Sequence, residues 1–340
     1  AKPINLMIQK NLKQIIQLTI SLGVAGWIFW FLYRDIAFDS LLAQVKSSNW
    51  FWILTSLAIA LCGYWLRSWR WSLLIQQNEG LKVTPNRSYH AVMVGYLVNM
   101  LVPRAGEVAR CGVLTRTNGI SLGHLFGTVI VERSVDLIFL IGTIFLAFFV
   151  ENELFLNLAN QLVDLKSLIA GILSNLPIAI GGLLIFILSI YLVFRRFKNH
   201  SFVNKIQHFF REIGGGLRSV GKLRNPIGFA ASSITIWIIY FLTMYTVSLG
   251  IQSTANLSSS EVLLVMVMGS IGMIAPVQGG IGTFHALVAF ILIQLGISEQ
   301  DGKIFAAIIH GTQVLLVIFA GLISWIILLR IPAWKKPTEV

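Results

Sequence analysis

The chain has 340 residues, of which 56% are hydrophobic and 12% charged, and it carries a net charge of +12. Soluble domains carry about 25% charge, so this composition, with a mean hydropathy of +0.78, excludes an ordinary globular enzyme and points to a membrane protein. The basic residues follow the breaks between apolar runs, which speaks for membrane topology and against nucleic acid as a partner.

An apolar helix of about 20 residues crosses a hydrocarbon core of roughly 30 Å. The first such stretch is 14–33, preceded by Lys2, Lys10 and Lys13, which place the N-terminus in the cytoplasm. It is long enough to be a permanent helix rather than a cleaved leader. Loop 34–49 sets Arg34 and Lys46 against Asp35 and Asp39 and is expected outside. The second span, 50–71, ends in Trp65, Trp69 and Trp71 with Arg67 and Arg70, a mixture that reads as an interfacial belt. Segment 72–90, with Lys82 and Arg87, returns to the cytoplasm.

Residues 88–118 cannot be an ordinary span. A crossing here would invert everything after it, and 88–102 as a helix reaches only about 22 Å. The charge pattern predicts a re-entrant helical hairpin that enters from the cytoplasm and turns near Pro103. Proline suits the first turn of a helix, having no N–H to satisfy. The half-helix starting there would aim free N–H groups and its positive dipole end at the midplane, which favours an anion. Arg104, Glu107 and Arg110 then share one helical face, with Asn99 just before the turn. Gly119-Ile120-Ser121 leads into the third span, 124–149, which contains Glu132, Arg133 and Asp136. Ionisable residues inside a span cost a few kcal/mol or more and need partners. Arg104 and Arg110 are the expected ones, and a purely structural ion cluster stays open as the alternative.

Loop 150–176, with Glu151, Glu153 and Asp164 against Lys166, is expected outside, and 177–194 is the fourth span. The strongly basic 195–225 is cytoplasmic, and 197–224 interleaves its charges with phenylalanine and isoleucine in the manner of a surface helix on anionic lipid. The fifth span is 226–249. A second hairpin, 261–275 and 281–297, is expected to enter from outside and turn at Pro276 to Gly280. There Gln278, Gly279, Gly280 and Gly282 allow close backbone approach, with Thr283 and His285 as polar partners. Gly296-Ile297-Ser298 echoes the earlier triplet and precedes the last span, 304–329, in which Gln313 matches Asp136 and His310 is its neighbour. Arg330, Lys335 and Lys336 put the C-terminus in the cytoplasm. The fold class is therefore an all-α polytopic membrane protein of one domain, with six spans and two hairpins. Repeat one covers about 14–149, and repeat two, about 177–329, is its inverted copy. A plain eight-span bundle is the alternative.

The pattern N-x3-P-R-x-G-E-x2-R, then G-x-S and E-R-x2-D, runs from Asn99 to Asp136. Pro276 to Ala286 reads P-x2-GGIGTFHA and is followed by Gln313. Over essentially the whole chain this resembles the lysylphosphatidylglycerol synthase transmembrane-region family of flippase-like membrane proteins. The resemblance implies translocation of a lipid across a bacterial or archaeal type cytoplasmic membrane. It does not imply lipid synthesis, because the soluble aminoacyl-transfer domain of those synthases has no counterpart after the last span.

The sequence thus predicts a flippase or scramblase, not an enzyme, for a lipid with an anionic phosphate headgroup. Arg104, Arg110, Asn99, Gln278, Gly279, Gly280, Thr283 and His285 would bind the headgroup. Glu107, Glu132, Arg133, Asp136, His310 and Gln313 would form a charge network or couple transport to ions, although His310 taken alone reads as a satisfied core histidine rather than a proton carrier. No nucleotide loop, nucleophile triad or Cys/His cluster appears, so neither cofactor nor metal is expected. Cys62 and Cys111 read as small apolar residues. Membrane lipids are the expected partners, a separate lipid-modifying enzyme or glycosyltransferase is admitted, and homodimerisation is left open. A secondary transporter of a small soluble anion, and a non-transporting lipid-binding partner of a glycosyltransferase, are the competing readings.

Overall fold

The computed structural model describes residues 26–36, 38–76, 83–154, 220–275 and 277–334, with isolated positions 19, 23, 156, 174 and 181. Half of span 14–33 and most of span 177–194, of loop 150–176 and of the basic segment 197–224 lie outside the described residues, as does Pro276. The described residues are helical with short turns and contain no strand. Among the described residues, 26–33 are helical and nine further α-helices follow. These are α1 Phe38–Ser47, α2 Trp50–Ile75, α3 Pro85–Leu101, α4 Gly106–Asn118, α5 Leu122–Val150, α6 Pro226–Gly250, α7 Ser259–Ile274, α8 Thr283–Gln294 and α9 Glu299–Leu329. By length and composition, four of them, α2, α5, α6 and α9, can cross a membrane. The chain is a helical membrane protein.

Local chemistry starts these helices where the sequence provides a cap. The side chains of Asn49, Thr84, Ser121, Asn225, Ser258 and Ser298 accept N–H bonds from the first turns of α2, α3, α5, α6, α7 and α9. Two helices start without such a cap residue, α4 and α8, and both follow breaks in the middle of the molecule. There the cap comes from elsewhere. Asn99, on α3, accepts the Gly106 N–H at 2.7 Å, and His285, inside α8, accepts the Gly282 N–H at its Nδ1, 3.3 Å away.

Two layers of chain ends enclose this middle. At one end the Gly250 carbonyl accepts from Asn49 N–H, and the Tyr33 hydroxyl donates to the Lys303 carbonyl. At the other end Trp334 N–H donates to the Arg116 carbonyl, and Arg116 donates to the Leu328 carbonyl. Between them lie the tips of two helix pairs, α3/α4 and α7/α8. At the tips the Arg104 guanidinium reaches the Ile274 carbonyl at 3.5 Å.

The two pairs are built alike. The offset that carries Gly119 onto Gly296 and Ser121 onto Ser298 also carries Gly95 onto Gly272 and Gly106 onto Thr283. Gly95 packs so tightly on Gly106 that an added Cβ would lie 2.8 Å from the Gly106 carbonyl oxygen. At Gly272 it would lie 2.7 Å from Phe284 Cα and 2.9 Å from the Thr283 carbonyl oxygen. The close approach of the two arms thus recurs at matching positions. Gly119 and Gly296, which end the second arms, both have positive φ, at 70° and 85°, the left-handed turn in which glycine carries no Cβ penalty. One apolar core, with Trp71, Val92, Leu114 and Leu125, joins α2 to α5; another, with Val265, Val288, Phe305 and Ile309, joins α6 to α9.

Candidate functional site

The most polar part of the interior lies where α2, α4 and α5 meet. Glu132 on α5 is fully buried. Its Oε1 accepts from Arg67 Nη2 at 2.8 Å and lies 3.6 Å from Arg70 Nη2, and its Oε2 is 2.9 Å from Arg110 Nη2. One turn along, Asp136 takes Arg70 at 2.7 Å and Arg67 at 3.2 Å. The two carboxylates on one helical face are therefore held together by the α2 arginines, whose three-residue spacing matches the four-residue spacing of the acids. Outward from this core, Arg133 bonds Glu107 at 2.9 Å, and its side chain is 45% exposed.

Neighbouring groups fix the arginines. Arg110 lies over the Trp71 ring, 4.5 Å from its centroid, a cation–π geometry. Trp71 in turn donates to Thr128 Oγ1 at 2.9 Å. Arg67 also donates to the Tyr240 hydroxyl, and Arg70 to Ser233 Oγ, so both α2 arginines are tied to α6 as well. Arg67, Arg70, Arg110 and Arg133 face Glu107, Glu132 and Asp136, which leaves one positive charge in excess. The Nε groups of Arg67, Arg70 and Arg110 are buried without a hydrogen-bond partner, as is Glu107 Oε2. A small recess between α3 and α4 borders the cluster, lined by Tyr96, Asn99, Gly106, Glu107, Arg110 and Arg133. With unused donors beside it, this recess can take an anionic oxygen.

In the second half, matching positions hold neutral groups. His310 Nε2 donates to the Gly279 carbonyl at 2.8 Å, because a carbonyl only accepts. Its ring centroid is 4.7 Å from that of His285. Thr283 donates to the Gly272 and Gly280 carbonyls, tying the turn to α7. Gln313 accepts from the Tyr64 hydroxyl at 3.3 Å. Gln278 is buried at the start of the Gln278–Gly280 turn.

The expected site residues thus divide. Arg110, Glu132, Arg133, Asp136 and Glu107 come together, and Asn99 lines the same recess. His285, His310, Gly279, Gly280 and Thr283 form a second group. Arg104 joins neither. It was expected on the first turn of a helix with Glu107 and Arg110, as a partner for Glu132 and Asp136. Instead the helix starts at Gly106, and Arg104 sits in the preceding turn with φ 62°, exposed and pointing to the second helix pair. Pro103 lies in that turn too, ahead of the helix.

A second correction concerns α2. Arg67, Arg70 and Trp71 are not an interfacial belt: Arg70 and Trp71 are fully buried and Arg67 is 8% exposed, because the helix runs on to Ile75 and these side chains face α5. A sign of this was present in the chain. Two carboxylates inside a span require cations at a matching spacing, and Arg67 and Arg70 supply it.

Comparison with known proteins gives one family. The family described as Lysylphosphatidylglycerol synthase TM region matches residues 14–321. No curated protein and no solved structure matches the chain.

Proposed function

This chain belongs to the lysylphosphatidylglycerol synthase transmembrane-region family, and we propose that it translocates a lipid with an anionic phosphate headgroup between the leaflets of a cytoplasmic membrane. The observation that carries this reading is the buried arginine cluster with one uncompensated positive charge, whose Arg110 lines the α3/α4 recess with its Nε and Nη2 free of hydrogen bonds. A phosphate entering the recess would compete with Glu132 for Arg110. Glu132 would keep Arg67 and Arg70, so the exchange strands no buried charge.

In this reading α3/α4 and α7/α8 are re-entrant hairpins, entered from the cytoplasm and from outside respectively. At 17 and 13, and 16 and 12 residues, their arms reach about 18–26 Å each, short of the roughly 30 Å core. Their matching glycine contacts and caps support an inverted repeat, and alternating exposure follows from one repeat rocking against the other. Broken backbone is tolerated at membrane depth when it is buried in protein or lines a wet cavity. Arg104, exposed at the tip, is placed to receive the phosphate on its way to Arg110.

The test is lipid movement in reconstituted vesicles, using fluorescent lipids with phosphate-bearing and neutral headgroups. A charge-assisted bond to phosphate is worth about 1.5–3 kcal/mol, so Arg110→Ala and Arg104→Ala should slow the anionic lipid about tenfold or more. Arg110→Lys should recover part of the rate, keeping charge but losing the fork. Alanine variants that transport normally but melt earlier would make the arginines structural. Exchange of a water-soluble phosphate compound with lipids static would establish a soluble-anion transporter instead.

A further inference from the structure

Resting on the translocator reading, we propose that the His285–His310 pair is a proton-binding site that couples lipid movement to a transmembrane pH gradient. Both imidazoles are buried, at 3% and 8% exposure. They lie on successive helices, α8 and α9, with their rings edge to face at 4.7 Å. Each is bonded to the backbone of the one glycine-rich turn: His310 to the Gly279 carbonyl, His285 to the Gly282 N–H. Those bonds set the tautomers. A carbonyl accepts, so His310 carries its proton on Nε2; a backbone N–H donates, so His285 Nδ1 is bare and its proton is on Nε2.

The two rings therefore answer a proton differently. Protonation of His310 at Nδ1 leaves its bond to Gly279 in place and makes it charge-assisted, hence stronger. Protonation of His285 at Nδ1 would remove the acceptor of the Gly282 N–H and uncap the start of α8. Two adjacent imidazolium ions would also repel. The pair accordingly takes one proton, at His310.

Among the described residues, the polar groups around the pair are committed elsewhere. Phe29 and Tyr33 of the first helix cover His285, and the Tyr33 hydroxyl is committed to the Lys303 carbonyl. Phe284 stacks on His310. On α9, Lys303 is paired with Glu299 at 2.6 Å. On α7, Glu261 is held in the capping box with Ser258. Tyr64 of α2 bonds Gln313, and Arg104, in the turn after α3, reaches the Ile274 carbonyl. None of the hydrogen bonds or ion pairs of the described residues joins a carboxylate to either ring.

The glycine turn gives the proton something to control. Gly279, Gly280 and Gly282 all have positive φ, at 55°, 77° and 87°. Gly279 abuts Met100 at the end of α3, where an added Cβ would lie 2.8 Å from the methionine methyl. The turn is thus part of the contact between the two helix pairs. A proton on His310 tightens the hold on Gly279 at this junction, and its release loosens it. One proton bound from one side and released to the other would bias one exposure of the site over the other. The pair also occupies the counterpart of the ionic face, since the repeat offset carries Arg133 onto His310.

The experiment has two arms, each run on the full chain and on His310→Gln, which keeps an N–H donor for Gly279 but takes no proton. In detergent, side-chain nitrogen NMR of ¹⁵N-histidine protein should show Nε2–H tautomers for both rings and uptake of one proton by the pair. In the Gln variant that uptake should disappear. In vesicles, an imposed gradient of two pH units should change the wild-type rate of anionic lipid movement severalfold. His310→Gln should keep at least half of the zero-gradient rate and lose the gradient response. A pair that takes no proton, or a Gln variant that responds like wild type, overturns the proposal. Proton uptake with lipid movement indifferent to the gradient overturns the coupling. Proton uptake in a wild-type protein that moves no lipid leaves the proton site standing and overturns the translocator reading.

Discussion

The two helix pairs have nearly the same backbone and opposite chemistry. Both arms of each meet at a glycine, Gly95 on Gly106 and Gly272 on Thr283 and Phe284, and both end in a left-handed glycine followed by a serine cap. Beside the first pair the facing helices carry Arg67, Arg70, Glu132 and Asp136; beside the second, the positions matching those acids hold Ile309 and Gln313. The first turn is made by Val102–Ala105, with one residue, Arg104, in the left-handed region. The second uses three left-handed glycines. A broken helix can thus be held by buried ion pairs or by neutral backbone contacts, and this chain uses one solution in each half. The charged half is suited to binding an anion. The neutral half is tied together by backbone contacts of its glycine turn, Gly279 to His310 and Gly280 to Thr283.

The comparison breaks most directly at Glu132. Replacing it by leucine removes the counter-charge that Arg67, Arg70 and Arg110 share, and losing one partner of a buried ion pair costs about 3–5 kcal/mol. The repeat counterpart, Ile309, is equally buried but apolar, and Ile309→Val should cost about 0.5–1.5 kcal/mol. Thermal unfolding in detergent measures both. Equal small losses would mean that the ion network does not hold the first half together.

Much of this plan was legible in the sequence, because its signals are local. Apolar length marked α2, α5, α6 and α9 to within a few residues, and the paired Gly-Ile-Ser triplets marked the starts of α5 and α9. The failures lie where side-chain direction decides. Arg67 and Arg70 stand among tryptophans close to the end of a span, the composition of an interface anchor, and only the helix's continuation to Ile75 turns them inward. Arg104 stands in helical spacing with Glu107 and Arg110, yet its left-handed backbone removes it from that helix. Asn99 lines the recess, and its side-chain Oδ1 has a further task that the sequence did not reveal, capping α4. Long-range packing of α2 on α5 and α6 settles the case of the α2 arginines, and turn geometry that of Arg104.

A smaller perturbation tests whether the halves are equivalent. Gly95→Ala and Gly272→Ala each set a Cβ against backbone atoms at 2.7–2.8 Å, and overpacking of that kind costs typically about 1–3 kcal/mol. Both variants should therefore lose stability, by similar amounts. Gly112→Ala and Gly311→Ala are the controls, since nothing lies within 4 Å of either added Cβ. In mid-helix, alanine is favoured over glycine by roughly 0.5–1 kcal/mol. A loss at Gly95 with none at Gly272 would show that only the first pair depends on close approach of its arms.

The last prediction disturbs the fold least and bears on how the two pairs lie in the membrane. Gly123, in the first turn of α5, and Gln300, in the first turn of α9, are matched by the repeat offset and are both exposed. Nothing lies within 4 Å of a Cβ added at Gly123, so Gly123→Cys and Gln300→Cys should each change stability by no more than about 0.5 kcal/mol. Cys111 is buried and Cys62 exposed, so a Cys62→Ser background removes the competing thiol. If the pairs are re-entrant and inverted, the chain returns after each to the side from which it entered, and those sides are opposite. A membrane-impermeant thiol reagent applied to intact cells should then label position 300 and reach position 123 only after the membrane is opened. Labelling of both positions from outside would mean that the first pair crosses the bilayer. The inverted repeat would fall with that result, while the ion cluster and the glycine contacts, which do not depend on the bilayer, would stand.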